Sequence, residues 1–373
     1  MTDAVGVDFG QSECRLAHVV DGQSVALKEV TRLTQVWLRF NDQIKIPKIH
    51  DKIGPGVKAV ACDVKSDLGD RQSILLGRRA VAPIDLAAKV IQAVREEGER
   101  RIGRPLRRAM IVVPTRASEP RRAATRAAAQ AAGFPETKLI SETLAAAIFA
   151  RSTGGGDGWY LVYHLGAGPF EAALIRVDGQ RYEVTGITGD NGVNGRRFDR
   201  LIAAHFAEQM RQQGKPLPDD RSPASQAIQA VLLRWAEGIK IQFAKRSQWR
   251  STLAGLIRLP DGRSADVELV VKRAEFERWI RPAIDTTFDQ VQHMLAEANL
   301  AAPDLKAILT VGSTAVLPLV EQVCMEVFDH APTPLDAYAV AQGAAIHAQT
   351  VPADQWAATA APPSPHRATS RRT

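Results

Sequence analysis

Asp8 and His164 are the residues whose types and settings point first to chemistry. Each ends an apolar strand and stands two residues before a glycine turn. The first lies in VGVDFGQSECRLAHVVDG near the start, the second in YLVYHLGAGPFEAALIRVDG in the middle of the chain. Both segments read as strand, turn at Gly10 or Gly166, second strand, and an Asp-Gly hairpin turn (Asp21-Gly22, Asp178-Gly179). A glycine turn between strands lets backbone N–H groups approach phosphate oxygens, because no Cβ stands in the way. Two such hairpins from a duplicated unit could grip one polyphosphate from opposite sides. A carboxylate at the first strand end suits a hard divalent cation. An imidazole at the second does not do the same work, although a protonated one pairs directly with phosphate. That mismatch is the main question the sequence poses about function.

The elements that must position these residues follow an α/β pattern. Strands are expected at Val5–Asp8, Arg15–Val20 and Thr34–Phe40, then an amphipathic helix from Ile84 to Arg101 with Leu86, Val90, Ile91 and Val94 on one stripe. A buried strand, Ala109–Pro114, precedes an Ala-rich helix that ends at Gly133. A short strand and helix follow in LISETLAAAIFAR. Gly154–Gly158 reads as a flexible break, dividing a first lobe (1–153) from a second (159–350). The second lobe repeats the theme with a hairpin over Tyr160–Val184 and a Gly-punctuated loop over Thr188–Asp199. A helical insertion then runs from about Gln212 to Ala298, with a hairpin turn at Asp261-Gly262. A strand over Ala307–Gly312 and helices near Pro318 and up to Gln349 complete it. The tail, 351–373, has the composition of a disordered segment.

Composition narrows the function classes. The chain has 373 residues, enough for two domains, and its 45% apolar and 24% charged fractions are those of a soluble globular protein. The net charge of +7 is carried mostly by Arg. The Arg run at Arg100, Arg101, Arg104, Arg107 and Arg108 has acidic neighbours and no interleaved aromatics, so it reads as a solvated helix end rather than a nucleic-acid surface. Three scattered cysteines (Cys14, Cys62, Cys324) imply neither a disulfide framework nor a zinc site. With no leader-like start and no long apolar run, a cytoplasmic location is expected.

Seven segments in register resemble the nucleotide-binding domain of the seventy-kilodalton heat-shock chaperones of DnaK type. They are GVDFGQS, the stretch from VVPTRASEPRR to SETLAAAI, HLGAGPFEAALI, TGDNGVNGRRFDRLIAAHF, EGIKIQF, TVGSTAVLP and DAYAVAQGAAIHA, together spanning roughly residues 4–348. The resemblance implies an α/β, actin-like ATPase fold: two lobes, each built on a duplicated RNase H-like unit, with ATP or ADP and Mg²⁺ in the cleft between them.

The resemblance also implies roles for individual residues. Asp8 would hold the hydration shell of Mg²⁺. Gly10, Gln11 and Ser12 form the first phosphate turn, Gln11 and Ser12 replacing two threonines. Lys65, in DVKSDLG, would face the γ-phosphate; read without the resemblance, it is an exposed lysine with no task. Glu142 would lie near the metal waters, and Pro114 and Arg122 would relay nucleotide state outward. His164 replaces an aspartate that helps hold metal and attacking water. Gly166, Ala167, Gly168 and Pro169 form the second turn, Pro169 removing a threonine hydroxyl and a backbone donor. Glu171 replaces an aspartate. Glu237, Lys240, Gly312, Ser313 and Thr314 would bracket ribose and base, with Ile241 and Val316 where arginines usually stack on the purine.

On the metal and γ-phosphate side the departures remove an aspartate and a threonine, and losing one positioned group there commonly costs roughly 10²–10⁴-fold in rate; on the purine side they remove two stacking arginines. The leading expectation is a stand-alone, DnaK-like ATP-binding module that regulates a protein partner with weak or absent hydrolysis. The alternatives are a slow Mg²⁺-dependent ATPase, with His164 or Glu171 replacing the lost aspartate, and a nucleotide-free scaffold. No acidic-hydrophobic linker or β-rich peptide-binding domain is expected in this chain. A filament former fits less well, because the helical insertion resembles the chaperone subdomain. Partner identity and oligomeric state stay open.

Overall fold

The computed structural model describes residues 4–39, 41–51, 57–61, 64–215, 223–258 and 264–356. The internal repeat of the sequence becomes a repeat of topology. In the first sheet, β1 (Ala4–Phe9), β2 (Glu13–Val20), β3 (Gln23–Ala26), β4 (Arg108–Val113) and β5 (Glu136–Ser141) run in the order β5-β4-β1-β2-β3. In the second, β6 (Gly158–His164), β7 (Pro169–Asp178), β8 (Arg181–Asn194), β9 (Leu305–Val311) and β10 (Thr333–Pro334) run β10-β9-β6-β7-β8. The two orders are the same. In each, the first three strands form an antiparallel meander and the last two add in parallel to its first strand. Crossovers through helices allow those parallel additions.

Several helices start at capping residues that follow a strand. Helix α1 spans Pro83–Ile102, with Pro at its first turn and Gly103 closing it in the left-handed conformation. Helix α2 (Glu119–Ala131) is capped by the Ser118 hydroxyl, and α3 (Glu142–Ser152) by that of Ser141. The Ser141 cap places Glu142 at the first helical position, where the helix dipole favours a carboxylate. After β8, the Asn194 side chain caps α4 (Gly195–Gln212), accepting from the Arg197 N–H at 2.8 Å. Helix α5 (Pro223–Gln242), the hairpin Gln248–Arg258/Ser264–Lys272 and α6 (Arg273–Glu297) complete the helical excursion before β9. Buried Phe198, Phe206, Phe243, Phe276 and Phe288 join it to one face of the second sheet. The hairpin's Asp261-Gly262 turn, Phe40 and Cys62 lie outside the described residues.

Helices α7 (Pro318–Phe328) and α8 (Ala339–Thr350) end the fold. Helix α8 returns to pack on β1, β2 and β4 of the first sheet as well as on α3. Its approach is close enough to require glycine: a Cβ on Gly343 would stand 1.8 Å from the Ala145 carbonyl oxygen, and one on Gly6 2.1 Å from that of Ala341. A third core cluster therefore draws on both sheets, combining Met110, Val112 and Ile148 with Tyr160, Val162 and Val340. The break near Gly154 separates the sheets but not all of the helices: α8, inside the expected second lobe, belongs by packing to the first sheet. The break is also pinned, by Tyr160 Oη donating to the Gly156 carbonyl at 2.7 Å and by Arg151 Nη1 donating to that of Gly155 at 3.0 Å.

Two other expectations need correction. The segment read as a Gly-punctuated loop, Thr188–Asp199, continues as strand to Asn194, because β7 supplies ladder partners for Thr188–Asp190 and Asn194 and one register irregularity between Asp190 and Asn194 absorbs the turn-forming residues. The tail does not begin at 351: Ala353–Trp356 form a 3₁₀ turn, and the Trp356 ring, 1% exposed, fills the shared core. Residues 357–373 lie outside the described residues. Among the described residues, no helix is long and apolar enough to cross a membrane.

Candidate functional site

The glycine turns of the two meanders meet across a cleft of about 430 Å³, within the usual range for a small-molecule site. Gly10, Gln11 and Ser12 line one wall and Gly166, Ala167, Gly168 and Pro169 another. The turns are neighbours: a Cβ on Gly168 would stand 4.0 Å from that of Gln11. Gly312 and Ser313 close the wall beside them. Gly312 has φ +99°, and a Cβ there would meet Leu165 and Gly166 backbone at 2.6–2.7 Å, so glycine is needed for the loop to seat. Ile241 and Val316, both partly exposed, line the same cleft and give it an apolar flank.

Its floor is a buried charge cluster. Lys65 projects from a single helical turn, Val64–Asp67, and its Nζ lies 2.7 Å from Glu142 Oε1. His164 Nδ1 stands 2.9 Å from Glu142 Oε2, as an ion-pair contact rather than a well-aligned hydrogen bond. The other ring nitrogen, Nε2, faces the second turn, 3.4 Å from where a Gly166 Cβ would be. Burial disfavours charge on Glu142, yet Lys65 and His164 outweigh it and hold the carboxyl well below the usual range. Burial likewise opposes protonation of His164, but Glu142, with Glu171 behind it, prevails and raises the imidazole above its ordinary value. Lys65, read from sequence with an exposed, idle alternative, is instead buried and engaged.

The arginine that sequence reasoning missed is Arg15. Asp8 and Arg15 are direct cross-strand partners in the β1–β2 ladder, and Arg15 Nη1 lies 3.3 Å from Asp8 Oδ2. Arg15 Nη2 also meets Glu13 Oε2 at 2.6 Å, and the Tyr338 ring stacks over the guanidinium at 5.7 Å. Burial pushes the Asp8 carboxyl up, against the pull of Arg15 and Lys65. The signal was in the sequence: counting outward from the Gly10 turn places Arg15 opposite Asp8. The same count in the second meander places Glu171 opposite His164. Glu171 turns to the first sheet's side, its carboxylate accepting the Thr115 N–H at 2.7 Å and the Arg116 N–H at 3.1 Å. Arg122 bonds to the carbonyls of Thr115 and Ala117, so the turn after Pro114 is tied to both α2 and β7.

Three expected contacts on the base side sit elsewhere. Lys240 is fully buried, its Nζ 2.7 Å from Asp199 Oδ1 and 3.1 Å from the Gly195 carbonyl, so it fastens the start of α4 instead of lining the cleft. Thr314 is also fully buried and donates to the Gly166 carbonyl, joining two loops behind the cleft wall. Glu237 accepts from the Ser12 hydroxyl and pairs with Arg234 at 3.0 Å, forming a latch between α5 and the first turn. Arg196 Nη2, donating to the Gln11 carbonyl at 3.3 Å, ties the start of α4 to the same turn.

Glu142, His164 and Glu171 bring one ligand atom each within 4.8 Å of one another. Mg²⁺, however, asks for an octahedron of oxygens with few competitors. Among the described residues, each of the five carboxylates lining the cleft already faces a donor: Asp8 and Glu13 face Arg15, Glu142 faces Lys65 and His164, Glu171 two backbone N–H groups, and Asp336 the Tyr338 N–H. Carboxylates engaged in this way do not fit a divalent ion coordinated directly by Asp8.

Comparison with known proteins agrees with this architecture. A family model described as Hsp70 protein matches residues 47–356. The Chaperone protein DnaK of Mycoplasmopsis pulmonis is 25% identical over 332 residues, covering 88% of this chain and 55% of that protein. The Chaperone protein HscA homolog of Methylobacillus flagellatus is 31% identical over 270 residues, 72% of this chain and 41% of that protein. That of Azoarcus sp. is 30% identical over 376 residues, 93% and 58%. The chain thus spans about half the length of the curated relatives it matches.

Proposed function

The chain belongs to the Hsp70 protein family, with a nucleotide-binding domain of actin-like ATPase fold, and from that premise we propose that it binds ATP and ADP in the cleft between its two meanders and uses their occupancy to regulate a protein partner, with little or no hydrolysis. The observation that carries this reading is the setting of His164. Glu142 holds Nδ1 while Nε2 faces the second glycine turn. Glu142 raises the imidazole pKa, which favours the protonated form that donates toward a phosphate.

Phosphoryl transfer depends on positioning a water and on stabilising charge at the γ-phosphate. Here Lys65 is engaged by Glu142, and Pro169 offers neither a hydroxyl nor an N–H at the second turn. Binding groups outnumber water-activating ones. Signal transmission has a physical route: the second turn leads into β7, whose Glu171 holds the Thr115–Arg116 backbone, which Arg122 holds in turn from α2. A change of cleft occupancy that moves β7 would therefore reach the α2 surface.

Thermal melting with ATP, ADP and GTP, followed by single-turnover release of labelled γ-phosphate, tests the reading. The expected result is stabilisation by adenine nucleotides without phosphate release above background, and measurable release in His164→Asp. Release by the wild-type chain that His164→Ala abolishes would contradict it in favour of a slow ATPase. Absence of any nucleotide-dependent shift would leave a scaffold.

A further inference from the structure

We propose that Arg15 takes the place of a divalent cation in this cleft, so that the nucleotide's phosphates bind as a metal-free polyanion beside its guanidinium. The proposal rests on the nucleotide reading above and deepens it. Three observations converge on it. Cross-strand register sets Arg15 opposite Asp8, with Nη1 3.3 Å from Oδ2, so the carboxylate expected to organise metal waters is already neutralised by a cation of the chain itself. That cation is fixed from two further sides, by Glu13 at 2.6 Å and by the Tyr338 ring.

The second observation is the state of the donors. Among the described residues, Arg15 Nε and Gln11 Nε2 are buried nitrogens without a hydrogen-bond partner, and both residues line the cleft. Buried donors are rarely left unpaired, because each forfeits its solvation. An anionic oxygen between the turns is the ligand that unpaired N–H donors ask for, whereas a metal ion would be repelled by them. The third is the saturation of the cleft's carboxylates already described. Guanidinium suits this task, since it stays charged at any working pH and presents several donors in a plane to phosphate oxygens.

Calorimetric titration of the whole chain with ATP, in EDTA and in Mg²⁺, tests the assignment on the wild type and two variants. Wild-type affinity is expected to agree within about threefold in the two buffers. Arg15→Gln should weaken metal-free binding roughly 10–100-fold, the usual worth of a hydrogen bond to a charged group, and should make binding respond to Mg²⁺ because Asp8 is then unopposed. Asp8→Asn should leave metal-free binding equal or tighter, since the guanidinium loses a competitor. If Arg15→Gln melts before it can be titrated, Arg15→Lys retains the charge without the planar fork and should fall between wild type and the loss expected for Gln. Wild-type binding that requires Mg²⁺ and disappears in Asp8→Asn would overturn the role of Arg15 while sparing the nucleotide reading. No heat for the wild type in either buffer would overturn both.

Discussion

The two meanders share one topology and one hairpin register but spend their charges differently. At corresponding positions the first pairs Asp8 with Arg15, an acid facing a base, and the second pairs His164 with Glu171, a base facing an acid. In the first, the pair closes on itself, with Arg15 reaching both Asp8 and Glu13 inside one hairpin. In the second, the partners turn outward: His164 goes to Glu142 at the start of α3, and Glu171 to the backbone after Pro114. A duplicated fold thus holds a hairpin whose charges pair within itself on one wall and a hairpin that grips the opposite sheet's elements on the other. The lesson is that register conserves position, not task. The same strand end can serve as a local counter-ion or as a tie across the molecule.

The largest effect that would break this comparison is expected from Glu142→Ala. It leaves Lys65 and His164 buried beside each other without their shared carboxylate, and removing one member of a buried pair costs about 3–5 kcal/mol. Chemical denaturation should show that loss, whereas Asp8→Asn, which leaves Arg15 its contact with Glu13, should cost only about 0.5–1.5 kcal/mol. Equal losses would show that the first hairpin ties the molecule as much as the second. Glu171→Gln comes next. An amide can accept from only one of the two N–H groups with its oxygen, so about 1–3 kcal/mol is expected, with faster amide exchange at Thr115 or Arg116.

A smaller effect concerns pH. The folded-state pKa of His164 is raised, because Glu142 outweighs a burial that opposes the charge. Its contribution is therefore fully present below the unfolded value of about 6.5 and is lost as pH rises through the higher folded value. Glu142, held low despite its burial, keeps its charge until far more acidic conditions. NMR titration should find the imidazole protonated above its ordinary range, and Glu142→Gln should bring it down. A midpoint at or below the ordinary range in the wild type would refute the ion pair. The smallest effect is on the base side: Ile241→Arg adds a guanidinium to the apolar flank and should tighten adenine-nucleotide binding by roughly 2–5-fold, from a stacking worth about 0.5–1 kcal/mol. No change would place the base away from that flank.

Much of this architecture was legible because it is written locally. Strand, glycine turn and strand recur within about twenty residues, and the same pattern yields the same sheet order twice. Asp8 and His164 were found by type and setting, Lys65 and Glu142 through the family resemblance, and the fold brings all four to the cleft. What escaped depended on relations between elements. Arg15 needed the hairpin ladder counted, not its residues inspected. Lys240 and Thr314 carry polar side chains that the resemblance places near a nucleotide, yet the fold buries both against backbone carbonyls. The Thr188–Asn194 stretch has turn-forming residues, but a neighbouring strand holds it extended, with one register shift between Asp190 and Asn194. Trp356 sits in a low-complexity context, and only the core shared by the two sheets could show that its ring has a place to go.

The most direct test is a crystal structure of the chain grown with ATP and Mn²⁺, with anomalous data to locate the ion. The account predicts a polyphosphate between the Gly10 and Gly166 turns, a phosphate oxygen within hydrogen-bond distance of the Arg15 guanidinium, and no anomalous peak at Asp8. A manganese peak beside Asp8, with Arg15 swung out of the cleft, would contradict it.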